Sequence, residues 1–141
     1  MYYVNREQIS VRLAVIPDVA GAMRALSQQW RGELLQGLAQ ERALHLAIEI
    51  VTDVGSYIID GFIMRDASSY EDIIDIIAEE GVFPGEVKEA VMELVKLRKP
   101  LVQDYFAWPA GELHPLTIAL PDVLEQFKRS VEAYVLQELG S

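Results

Sequence analysis

The sequence predicts an all-α protein, an up-and-down bundle of roughly four to five helices around one long central helix, as a single domain over residues 1–141. Three observations carry that prediction. Apolar residues recur three and four apart along most of the chain, the period of a helix with one buried face. Several of these runs open on an Asn or Ser able to cap a helix and close on a glycine or a Pro-Gly turn. The longest, from about Glu33 to Met64, is interrupted only by isolated glycines at 37, 55 and 61.

Taken in order, the first helix starts at Asn5, which can cap it with Gln8 in the capping-box position. Ile9, Leu13, Ile16, Ala20 and Met23 continue at helical spacing, with Pro17 a predicted kink. After the Gln28–Gly32 break comes the long run. At 1.5 Å per residue it would extend on the order of 45 to 50 Å, a spine whose apolar residues (Leu38, Leu44, Ile48, Val51, Val54, Ile58, Phe62) wrap more than one face. Contacts on two sides follow, from its own bundle and from a second subunit. A short third helix has Ser68 as predicted cap, Glu71 completing the box, Ile73, Ile74, Ile76 and Ile77 as its apolar face and Gly81 as its end. Val82-Phe83-Pro84-Gly85 is a turn, and the fourth helix follows it. Trp108–Gly111 forms a loop, and a last helix begins at Leu113 or at Asp122 and runs to Leu139. Between Pro115 and Pro121, residues 116–120 alternate weakly, so a short extended piece is a second option there.

Composition excludes several classes of function. With 141 residues, 51% of them apolar and no cysteine, the chain can build a core without disulfides, and a reducing cytoplasm is the expected compartment. The opening Met1-Tyr2-Tyr3-Val4-Asn5-Arg6-Glu7 carries no basic-then-apolar leader. Glu49, Asp53 and Asp60 inside the longest apolar segment argue against a membrane span. A net charge of -10 opposes non-specific nucleic-acid binding, which needs Lys and Arg to neutralise phosphates. Lys88, Lys96, Arg98 and Lys99 nevertheless cluster on the fourth helix, where they form either a solvated face or a local meeting point for a phosphate.

The distinctive stretch is Leu97-Arg98-Lys99-Pro100-Leu101-Val102-Gln103-Asp104-Tyr105. Arg98 falls in the register of an apolar stripe formed by Val87, Val91, Leu94, Leu101, Val102 and Tyr105. A guanidinium there either leans outward along its stem or faces a cleft or subunit boundary that receives an anion. In a regular helix, residues 98 and 103 are separated by roughly 140° of rotation. A bend at Pro100 can bring them together.

Other chemistries lack their residues. There is no Cys, no serine in a Gly-X-Ser-X-Gly turn and no phosphate-cradling glycine loop. On the long helix Arg42, His45, Glu49, Asp53, Ser56 and Asp60 make one polar stripe, either a solvent face or a source of Glu49 or Asp53 to orient Arg98. His45 and Glu49 lie one turn apart without a third ligand, so no metal and no other cofactor is expected.

Arg98, four intervening residues, Gln103, and Tyr105 two further on resemble the signature of the HEPN superfamily, in particular its HepT-like toxin branch, where the motif arginine is followed by a histidine and then a tyrosine. Leu101-Val102-Gln103-Asp104-Tyr105 matches the motif's usual context, and the helix order fits along nearly the whole chain. The resemblance implies a homodimer whose arginine and histidine line a shared cleft and cut RNA without a metal, the imidazole moving a proton and the guanidinium steadying the phosphorane. Gln103 stands where that histidine belongs, and its amide neither takes nor releases a proton at accessible pH. Lys99 is a second departure, since a small polar residue is common there. Tyr105 matches the tyrosine that partner MNT-type nucleotidyltransferases modify with AMP to silence the toxin, with a bundle-filling aromatic as the plainer alternative.

Three functions compete. The first is a HepT-like homodimer with a degenerate ribonuclease motif and little or no activity on RNA, its candidate residues being Arg98, Gln103 and Tyr105, supported by Glu49, Asp53 and Lys99. The second is an active endoribonuclease toxin of a toxin-antitoxin pair, helped by Gln103 or by His114, which otherwise reads as a surface histidine. The third is a non-catalytic adaptor binding a protein through Phe106, Trp108 and neighbouring apolar residues.

Overall fold

Asn5 caps the first helix as its side chain predicts, accepting the Gln8 N–H at 3.2 Å. In the computed structural model, which describes residues 2–140, this helix (α1, Arg6–Leu13) stops before Pro17, and a separate helix follows (α2, Ile16–Gln29). The expected kink is therefore a break. A proline clashes with the carbonyl four residues back, here Leu13, but is tolerated in a helix's first turn, which is where Pro17 sits.

The spine is α3, Leu34–Gly61, whose 28 residues span about 42 Å. It stops short of Met64 because Ile63 takes a left-handed backbone (φ 56°), and the Met64 N–H closes back onto the Ile59 carbonyl at 2.9 Å. Leu44, Ile48, Val51, Val54 and Ile58 are fully buried at the centre of a core to which every α-helix contributes. Leu34, Leu35 and Leu38, at its amino-terminal end, stay exposed.

The next helix, α4 (Tyr70–Glu79), buries Ile73, Ile74, Ile76 and Ile77 as predicted. Its cap is Ser69 rather than Ser68: Ser69 Oγ accepts the Asp72 N–H, and Asp72 reaches back past the cap to the Ser68 N–H at 2.9 Å. Two bonds of 2.9 Å from Arg65 select Asp72 over Glu71. That guanidinium, joined by the Ser68 N–H, holds the Asp72 carboxyl well below the usual carboxylate range. Gly55 lets α4 lie close on α3, since a Cβ there would collide with the Ile73 side chain.

After the Pro84 turn come α5 (Gly85–Lys96), a wide helical turn over Lys99–Gln103 and a tight one over Tyr105–Ala107. The last helix, α6, runs Pro115–Leu139, so residues 116–120 are helical and not extended. Pro121 lies inside it and cannot bond the Thr117 carbonyl. Ser27 Oγ of α2, the helix packed along α6, lies 3.4 Å from that oxygen. Around α3 the other helices form the predicted all-α bundle, and among the described residues none is long and apolar enough to cross a membrane.

Candidate functional site

Where α5 ends, its hydrogen-bond pattern widens. The Leu101 N–H still reaches back four residues to the Leu97 carbonyl, but the Asp104 N–H reaches back five, to Lys99, at 2.9 Å. Pro100, lacking an N–H, sits at the start of this π-helical turn. A five-residue repeat turns less per residue than an α-helix, so residues 98 and 103 converge instead of diverging. Both line one concavity of about 290 Å³, together with Ser69, Tyr70, Glu71, Lys96 and Lys99.

Within it, the half-buried Arg98 lays its guanidinium over the ring of Tyr70, 4.3 Å from the centroid. Its Nε is buried without a hydrogen-bond partner, and the side chain makes no ion pair among the described residues. The expected orienting carboxylates are engaged elsewhere. Asp53 accepts from Arg12 Nε of α1 at 3.1 Å, and Glu49 lies 3.4 Å from His45 on its own helix. Asp53 faces α1, where Arg12 also lies over the Tyr57 ring, while Ser56 and Asp60 of the same stripe line a pocket with the start of α4.

Tyr105 does not fill the bundle. It is 65% exposed on the tight turn after Gln103, edge-to-face with Phe106, itself 80% exposed. Trp108, grouped with Phe106 in a surface patch, instead packs half-buried against the core and stacks on His114. His114 is not the plain surface histidine of the sequence reading. It caps α6, its Nδ1 accepting the Leu116 N–H at 3.0 Å, and it does not line the Arg98 concavity. Three or more metal-ligating side chains do not converge anywhere among the described residues.

A sequence model of the family described as "Ribonuclease HepT-like" matches residues 19–129. This chain belongs to the HepT-like ribonuclease family. The Bacillus subtilis (strain 168) protein named "Putative RNase YutE" is 37% identical over 140 residues, covering 99% of this chain and 96% of that one. A solved structure of YutE from Bacillus subtilis, described as a cytosolic protein of unknown function, matches with a TM-score of 0.87 at 35% identity, over 100% of this chain and 97% of that chain.

The HepT-like match includes every residue of the concavity. Of the candidates, Arg98, Lys99 and Gln103 share that space, Tyr105 stands on the adjoining turn, and Glu49 and Asp53 lie apart. Sequence reasoning missed Tyr70, which reads only as the first residue of a short helix, and Gln40, whose contacts all lie more than seventy residues along the chain.

The His114 cap in this HepT-like chain has a pH signature. Burial is the larger influence and depresses its pKa, with Glu93 opposing. A folded pKa below the unfolded value means that the stabilisation is complete above about pH 6.5 and is lost as pH falls through the folded value. Protonating Nδ1 would also remove the cap's acceptor. Between about pH 7.5 and about pH 5, the parent is expected to lose more melting temperature than His114→Asn, whose amide caps without titrating. Parallel profiles would refute this.

Proposed function

We propose that this chain is a HepT-like homodimer whose ribonuclease cleft has kept its phosphate-binding arginine and lost its proton carrier, so that it holds RNA but cuts it weakly or not at all. One observation carries the reading. Arg98 and Gln103 line the same concavity, the first with an unsatisfied donor and the second with an amide that cannot titrate. Cleavage through the ribose 2′-hydroxyl requires a group to remove its proton and another to protonate the leaving oxygen, while the phosphorane charge is held. A guanidinium serves the last need alone. Lys96 and Lys99 on the rim add positive charge against the acidic background of the rest of the chain.

The exposure of Tyr105 favours a second reading, an active toxin in a pair with an MNT-type nucleotidyltransferase that silences it by placing AMP on that hydroxyl. Both readings are tested by following affinity for, and cleavage of, one short single-stranded RNA by the parent and by Arg98→Ala. The expected result is salt-sensitive binding that falls about tenfold in the variant, the loss of one charged hydrogen-bonding group, with no cleavage by either protein. Cleavage by the parent that disappears in Arg98→Ala would establish the active toxin instead. Affinity indifferent to Arg98, with no cleavage by either protein, would overturn both.

A further inference from the structure

We infer that Tyr70 is a positioning residue for Arg98, holding the guanidinium by its ring face so that the arginine's donors stay free for a phosphate. The inference rests on the reading of Arg98 as the phosphate-holding group and adds the part that keeps it ready. An arginine next to a cleft is usually oriented by a carboxylate, which occupies its donors and cancels its charge. An aromatic face also attracts the cation, but takes neither the in-plane N–H groups nor the net charge. Here the ring lies 4.3 Å from the guanidinium carbon, and Nε is buried and unbonded. Glu71, the residue after Tyr70, lines the same concavity without forming an ion pair with Arg98.

The backbone that carries Tyr70 is well anchored, while the residue itself stays 46% exposed. It is the first residue of α4, directly after the Ser69 cap. The Arg65–Asp72 pair and the two bonds from Ser68 to Asp72 fix the strand of chain leading into it. The path therefore runs from a clamped helix start, through one ring, to a guanidinium that no carboxylate neutralises.

The test uses the full-length protein and the variants Tyr70→Phe and Tyr70→Leu, each alone and combined with Arg98→Ala. Two readouts are taken: affinity for the short single-stranded RNA, and the Arg98 side-chain resonances by NMR. The ring should displace those resonances upfield in the parent and in Tyr70→Phe, and not in Tyr70→Leu. Affinity should be unchanged in Tyr70→Phe, fall about three- to tenfold in Tyr70→Leu, and fall no further when Tyr70→Leu is added to Arg98→Ala. Resonances identical in the parent and Tyr70→Leu would overturn the inference, as would a phenylalanine variant as weak as the leucine one. A leucine effect that persists without Arg98 would mean that the ring touches RNA directly, which also overturns it. If the parent fails to bind RNA while the resonance pattern holds, the proposed function fails and the positioning role stands.

Discussion

Replacing Gln103 by histidine is expected to raise RNA cleavage by about 10²- to 10⁴-fold over the parent, the usual contribution of one well-placed acid or base. The substitution supplies the one property that the concavity lacks. Position 103 is solvent-exposed, so an imidazole there keeps a pKa near the ordinary value of about 6.5, with Arg98 across the cavity drawing it somewhat lower. Activity should thus appear near neutral pH and follow the titration of that single group. It should vanish in Gln103→His combined with Arg98→Ala. A Gln103→His protein that folds and binds RNA yet leaves it uncut would show that more than the proton carrier has been lost from this cleft.

The second large effect is on stability and comes from Gln40, fully buried on α3. Its Oε1 accepts the His114 N–H and the Thr117 hydroxyl, each at 2.7 Å, and its Nε2 donates to the Glu112 carbonyl at 3.0 Å. One amide thereby fastens the loop after the motif and the first turn of α6 to the spine. Gln40→Met keeps much of the volume and strands three partners, of which the Thr117 hydroxyl is fully buried. The expected cost is about 2 to 4 kcal/mol. For a chain of this size that is a fall of about 6 to 15 °C in melting temperature. A variant melting within about 1 °C of the parent would show that water or a shifted loop satisfies those groups.

How far the sequence could be read depended on how local each signal was. The helices were legible because caps and apolar period are properties of neighbouring residues: Asn5 capped as expected, and the four isoleucines of α4 all turned inward. The cap was placed at Ser68 instead of Ser69, since what separates the two is Arg65 gripping Asp72. Arg98 and Gln103 stood out as a pair through their likeness to the HEPN motif, with Pro100 between them able to bring them together. The partners of Arg98 did not. Glu49 and Asp53 had the right charge, but periodicity leaves the rotational phase of α3 against its neighbours open, and in the fold Asp53 meets Arg12 while Glu49 meets His45. Tyr70 and Gln40 act entirely through contacts with distant parts of the chain, for which a single sequence carries no local mark.

The turn that ends at Gln103 is, in winding terms, an ordinary helix into which one surplus residue has been fitted. Loss of a single codon between 98 and 103 would restore regular winding and leave the arginine and the glutamine four residues apart, roughly 40° around the axis and still on one face. The juxtaposition of these two side chains therefore tolerates a one-residue change in length, and what the pocket can do is decided by which side chains stand at its two positions.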